Sequence, residues 1–230
     1  MPNENHTPMD FDALTRLLHA RYSCRAFRPD PVPRATIEQI VRTAGRAPSW
    51  CNAQPWQLII TDGKETNRFR DALFAHASNH PQQPDIDWPK QYTGPYKVRR
   101  RTCGWQLYEA VGIEKGDRAA STAQMMENFH LFGAPHVAIL TSEADLGTYG
   151  VMDCGGFLSS FCYAAQAQGV ATIPQAAVAG YGRFVHDFFD IPENRLVTAA
   201  ISFGYADAAH PANAFRTERA PLSEVIDWRE

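Results

Sequence analysis

The segment RYSCRAFRPDPV, residues 21–32, sets Arg21, Ser23 and Arg25 at alternate positions just before a proline-rich break. In extended backbone every second side chain leaves on the same side, so two guanidinium groups and a hydroxyl would point one way. A guanidinium presents a planar fork of donors that meets two phosphate oxygens at once. The chemistry this trio suits is an anion clamp; a solvated surface loop is the plain alternative. A second stretch, RAPSWCNAQPW over 46–56, displays Ser49, Asn52 and Gln54 between Pro48 and Pro55. Amide side chains offer donor and acceptor together, which matches a heterocycle edged by carbonyls and N–H groups. Taken alone, that stretch is equally a polar connection from helix to strand.

Both loops need a scaffold, and 230 residues at 44% hydrophobic suffice to bury a substantial core. A formal charge of −3 and a pI near 6.2 provide no general basic field for nucleic acid or an anionic membrane. The opening MPNENHTPMD lacks the cationic start and apolar run of a secretory signal, and no apolar stretch reaches the roughly 18 residues of a spanning helix. Five cysteines, at 24, 51, 103, 154 and 162, include no C-x-x-C pair, so neither a disulfide framework nor a zinc knuckle follows. A cytoplasmic protein is expected. His76 and His80 share a helical face, but no carboxylate stands at a ligand offset and Pro81 ends the helix, so no metal site is expected.

Helical periodicity runs over 9–20, from Pro33 to Gly45, from Gly63 through KETNRFRDALFAHA, over 101–112 and 118–131, through GVMDCGGFLSSFCYAAQAQGV, and near 178–189. Strands are expected at 56–62, 136–142, 171–174 and in LVTAAISFGYA. Residues 78–97 hold four prolines and few aliphatics, the composition of a lid or a disordered loop. The final HPANAFRTERAPLSEVIDWRE is polar but ends in Val225, Ile226 and Trp228, as an arm that packs elsewhere would. With no repeat and no dividing linker, alternating strands and helices indicate a single α/β or α+β domain.

RYSCRAFRPDPVP followed by APSWCNAQPW resembles the paired N-terminal signatures of the flavin-dependent nitroreductase family. GVATIPQAAVAGY (169–181) resembles its segment beside the flavin, and ISFGYADAAHPANAFRTERAPLSEVI its closing strand and arginine-bearing tail. The four segments fall in order over about 10–228. The resemblance implies an α+β fold, a three-layer α-β-α sandwich around a mostly antiparallel sheet, in a domain-swapped homodimer. It implies one domain over 1–230 with a lid insertion at about 78–115 and a C-terminal arm at about 211–228. FMN would lie at the dimer interface, with NADH or NADPH as electron donor. Arg21 and Ser23 match positions that grip the phosphate and ribityl chain, and Arg25 one at the N1–O2 edge of the ring. There Arg25 would stabilise the negative charge of reduced flavin. Pro48, Ser49, Asn52 and Gln54 match a loop supplied by the partner subunit, and Pro174 and Gln175 the pyrimidine and N5 edge. Arg219, with Arg216 as its alternative, matches a tail arginine at the phosphate. Trp50 and Cys51 depart from the small residues common in that loop.

The implied activity is two-electron reduction of nitroaromatics, nitro to nitroso to hydroxylamine, by ping-pong turnover without a protein nucleophile. Trp88, Tyr92, Tyr96 and Trp105 would roof a flat substrate, and KVRRR (97–101) offers cations for a donor's 2′-phosphate. Alternatives are a related flavin reductase or dehydrogenase, a reductive dehalogenase like iodotyrosine deiodinase, or a flavin-binding protein without turnover. For the dehalogenase, Asp85, Asp87, Lys90, Tyr92 and Lys97 are the available lid groups.

Overall fold

In the computed structural model, residues 10–229 are described. The first nine residues, on which the reading of a missing secretory signal rests, lie outside the described residues. Four strands form one sheet of order β1-β2-β4-β3, with every neighbouring pair antiparallel. They are β1 (Gln57–Ile60), β2 (His136–Glu143), β3 (Ala171–Gln175) and β4 (Arg195–Gly204).

Period-two alternation divides the sheet between two cores. From β2, Ala138 and Leu140 face one side with Ile201 and Phe203 of β4. There they meet α2 (Arg34–Ala44) and α6 (Gly147–Ala167), which contributes Phe157 and Phe161. Val137 and Ile139 face the other side, toward α3 (Gly63–Asn79), α7 (Ala176–Ala179) and α8 (Gly182–Phe189). The layers are helix, sheet, helix, an α+β sandwich. The β2–β4 register shifts between Leu140 and Thr141, which lets Val197 of β4 join the second core. A smaller cluster of Cys24, Phe27, Phe132, Ala134 and Ile173 fixes the 21–27 segment against the β3 edge.

The long helix pattern at 118–131 is interrupted: α5 (Arg118–Met126) stops early, and Leu131 and Phe132 take φ of 55° and 52°. That left-handed turn puts both side chains into the core while redirecting the chain into β2. Helix α4 (Gly94–Ala110) begins seven residues before the 101–112 pattern, because Pro95 occupies its first turn, where the missing N–H costs nothing. Only 80–93 of the proline-rich stretch is loop. It is fastened: Gln83 N–H donates to Gly180 O at 2.9 Å, and Arg183 N–H donates to Gln83 O at 3.1 Å.

Helix α1 (Phe11–Ala20) is capped by Asp10, whose carboxylate accepts Ala13 N–H at 2.8 Å, yet buries none of its residues fully. Phe11, Leu14 and Leu18 on α1, and Leu222, Val225 and Trp228 on the tail, stand exposed. Among the described residues no helix is long and apolar enough to cross a membrane.

Candidate functional site

Residues 21–25 run extended beside β3. Cys24 N–H donates to Thr172 O at 3.0 Å, and Ser23 bridges to Thr172 in parallel register. Cys24 turns into the core, its thiol raised in pKa chiefly by burial. Arg21, Ser23 and Arg25 line a cavity of about 790 Å³, together with Arg216 and Arg219 from the tail. Glu218 is the single carboxylate on that lining. A second cavity of about 280 Å³ adjoins it at Ser23 and Arg25 and is walled by Pro174, Gln175, Tyr108 and Asn128. Together they make a cleft, cationic at one end and walled by amide side chains, an aromatic ring and proline at the other.

Arg25 stands at the junction. Its backbone N–H donates to Asn213 Oδ1 at 2.7 Å, and Asn213 Nδ2 donates in turn to Ala26 O and Asp207 O, at 2.9 and 2.8 Å. The buried Asn213 thus ties the 21–25 segment to the tail. The Arg25 side chain donates from Nη1 to Ser23 O at 3.2 Å and lies 5.6 Å from the Phe215 ring centroid. Burial lowers its pKa from the ordinary arginine value, and among the described residues no carboxylate pairs with it. A partly desolvated cation without an anion is costly, and an anion in the cleft would offset that cost.

The tail arginines are held by single nitrogens. Arg216 Nη1 donates to Asn213 O at 2.8 Å and Phe215 O at 2.7 Å, its guanidinium 3.7 Å over the Tyr22 ring. Arg219 Nη1 donates to Thr217 O and Oγ1 at 3.1 and 3.0 Å and to Glu218 O at 3.0 Å. The other prongs of each fork have no partner among the described residues.

Gln175 lines the cleft, but its side chain is bound internally. Nε2 donates to Asn128 O at 2.8 Å, and Oε1 accepts Ser202 Oγ–H at 2.5 Å. It shapes the wall and braces Asn128.

Pro48, Ser49, Asn52 and Gln54 line neither cavity; their loop sits on the first half of α6. The Trp50 ring packs tilted against Tyr149 at 4.7 Å, and its backbone N–H donates to Asp153 at 3.1 Å. Cys51, Asn52 and Gln54 adopt φ of 48°, 58° and 49°, three left-handed non-glycine positions within four residues. Ser49 Oγ accepts Gln54 N–H at 3.0 Å and helps to hold that shape. Such backbone persists only where the surroundings impose it. Below the loop Arg195 Nη2 holds Pro55 O at 3.0 Å and Thr141 O at 2.9 Å.

Trp88, Tyr92, Tyr96 and Trp105 do not line the cleft. Trp88 packs on Gly180, where a Cβ would come within 2.9 Å of its ring. Tyr92 lies under Arg100, Tyr96 beside Arg99, and Trp105 meets Tyr108 edge-on at 5.7 Å. Tyr108, Leu107 and Cys103, on the α4 face turned to the cleft, take the positions expected of the aromatic quartet. Asp85 is unavailable as a lid clamp, because its carboxylate is bound to His186 and to Val197 N–H. The His76 and His80 rings stack 4.2 Å apart, and among the described residues no group of three metal-ligating side chains forms.

The arginine-lined cleft, the antiparallel sheet and the two helical layers agree with what known proteins reveal by comparison. The nitroreductase family model matches residues 18–205, and the chain belongs to that family. It is 35% identical over 217 residues, 93% of this chain and 91% of the relative, to nitroreductase NfnB of Mycolicibacterium smegmatis. It is 32% identical over 211 residues, 91% of each chain, to a 4-nitrobenzoate reductase of Pseudomonas putida. The crystal structure of the FMN-dependent nitroreductase NfnB from Mycobacterium smegmatis in complex with NADPH superposes with a TM-score of 0.90. That match has 33% identity and covers 95% of this chain and 99% of the other.

Proposed function

We propose that this protein is a cytoplasmic, FMN-dependent nitroreductase that takes electrons from NADPH or NADH and passes them to nitroaromatic compounds. The observation that carries the reading is Arg25, a half-buried guanidinium without a carboxylate partner among the described residues, at the joint between a cationic pocket and an amide-edged one. A flavin mononucleotide has that shape and charge: a phosphate at one end, and at the other a ring that becomes negative when reduced. The relatives named above, an FMN-dependent enzyme bound to NADPH and a reductase of a nitrobenzoate, support the same reading. Five free thiols fit a reducing compartment.

When bound, FMN supplies the two-electron relay between nicotinamide and nitro group, from nitro through nitroso to hydroxylamine. Arg21, with Ser23, holds the phosphate and ribityl chain, and the free prongs of Arg219 and Arg216 close over the phosphate. Arg25 places fixed positive charge where negative charge develops, without reorganising. Pro174 and the Gln175 backbone define the ring edge. One slot serves donor and acceptor in turn, which gives ping-pong kinetics.

The cleft is completed by a second copy of the chain. The strained 48–54 loop lines neither cavity of its own chain, so Ser49, Asn52 and Gln54 serve the partner's flavin. Exposed Trp50, Leu222, Val225 and Trp228 supply apolar surface for the swapped arms. On this reading the chain is one domain with a lid at about 78–115 and an arm at about 211–228.

The test is optical. Purified protein should be yellow, bleach with NADPH under argon, and regain colour stoichiometrically with 4-nitrobenzoate. Protein that stays colourless after incubation with FMN refutes the reading.

A further inference from the structure

Helix α4 carries cations on two sides, and the two sides are treated differently. Arg99 faces the tail, where it forms an ion pair with Glu224. Arg100, about 100° further round the helix, forms no ion pair among the described residues. Its guanidinium lies 5.3 Å from the Tyr92 ring centroid. An arginine laid on an aromatic face keeps its donor fork open while the ring limits its motion.

The direction of Arg100 follows from helical spacing. Cys103 and Leu107, three and seven residues on, lie on the same face as Arg100 and line the large and small cavities of the cleft. Arg100 therefore stands two turns, about 10 Å, outward from Leu107 along one wall. Between them is Gly104, where nothing lies within 4 Å of the position a Cβ would take, so no side chain stands in the way there. A nicotinamide seated against Leu107 and Tyr108 would send the rest of its dinucleotide outward past Gly104.

We propose that Arg100, supported on Tyr92, selects the electron donor by binding the 2′-phosphate of NADPH. This rests on the functional reading above, because it presumes that a nicotinamide occupies the cleft. The phosphate replaces water on a guanidinium that already lacks a protein counter-ion, so no ion pair has to break. Arg99 cannot do this without releasing Glu224 and the tail.

The experiment compares FMN-loaded wild type with Arg100→Ala, Arg100→Lys and Arg101→Ala, the last removing a cation from the neighbouring position. FMN content is read first, from the visible spectrum. Anaerobic stopped-flow reduction then gives the apparent Kd for NADPH and for NADH, and adenosine 2′-phosphate is tried as an inhibitor. Wild type should favour NADPH. Arg100→Ala should weaken NADPH about tenfold or more, leave NADH unchanged, and abolish inhibition by adenosine 2′-phosphate. Arg100→Lys should recover part of the preference, and Arg101→Ala should keep it. A wild type without preference, or an Arg100→Ala protein in which both donors weaken equally, overturns the assignment while leaving the flavin reading intact. Absence of FMN from every variant and from wild type overturns the functional reading and this assignment together.

Discussion

The Asp85 carboxylate accepts a hydrogen bond from His186 Nε2 at 2.8 Å across 101 residues of sequence. Its same oxygen accepts Val197 N–H at 2.7 Å, while His186 Nδ1 faces Ile191 O at 3.0 Å. Both ring nitrogens are thus engaged, one by the loop carboxylate and one by the turn after α8. Gly182 makes the contact possible, since a Cβ there would come within 2.9 Å of Asp85 Oδ1. The 80–93 loop is thus a strap buckled to β4 and α8.

Asp85→Ala should release this strap. Hydrogen bonds to charged groups contribute about 1.5–3 kcal/mol, which for a chain of this size lowers Tm by roughly 3 to 12 °C. Calorimetry checks it, and limited proteolysis should show new cleavage between 80 and 93. A variant as stable and as resistant as wild type would show that the strap is held by its backbone bonds alone.

His136 predicts a pH dependence. Val32 N–H donates to its Nε2 at 2.9 Å, and its Nδ1 donates to Thr61 O at 3.1 Å, so the folded ring is neutral in one tautomer. Burial lowers its pKa, and the Thr61 and Asp62 contributions only partly oppose this. As pH falls through about 6.5, the unfolded chain binds a proton that the folded chain does not. Stability therefore rises with pH in that window, by up to about 1.4 kcal/mol per unit, until pH drops below the depressed folded value. Denaturant titrations from pH 5 to 8 should show this slope, and His136→Gln should flatten it.

Arg25→Ala should act on potential more than on binding. Negative charge appears at its edge of the ring only on reduction, so the two-electron potential should drop by roughly 30 to 65 mV. Arg25→Lys should restore much of it. Spectroelectrochemistry decides; an unchanged potential with poor FMN retention would make Arg25 a phosphate ligand instead.

Arg21→Ala and Arg219→Ala should weaken FMN about tenfold or more each. Dialysis followed by flavin quantitation measures this, and equal retention by wild type and both variants would move the phosphate elsewhere. Arg21→Lys should not restore the grip, because a point charge lacks the bidentate fork.

Dimerisation should appear as a Tm that rises with protein concentration. Asn52→Gly, which keeps the left-handed φ of 58° without strain, should lose flavin without loosening its own chain, since its loop touches neither cavity of its own subunit. Light scattering that finds a flavin-bearing monomer at micromolar concentration contradicts this.

The sheet strands, α2, α3 and α6 were legible because their periodicity is long and their faces clean. The start of helix α4 is hidden in the sequence because its first turn is proline and glycine, and the helix buries no residue fully, so no apolar stripe marks it. Arg21, Ser23 and Arg25 could be grouped because alternation puts them together locally. Tyr108, Asn128 and Asn213 could not, since each reaches the cleft from a different element and no spacing relates them. The aromatic quartet lies outside its own chain's cleft: aromatic residues in a lid suggest a roof, while in this chain Trp88 packs on Gly180 and Tyr92 under Arg100.

The strand order also sets how the molecule is made. Thr141 of β2 bonds to Gln57 O of β1 across 84 positions, and among the described residues no two strands form a tight hairpin. Each ladder requires closing a long loop before any hydrogen bond compensates the lost entropy, so collapse must precede registry. During that interval the apolar β2 and β4 strands stand unpaired, the condition in which chains stick to one another. Recombinant yield should therefore depend on growth temperature more steeply than the stability of the finished protein would suggest.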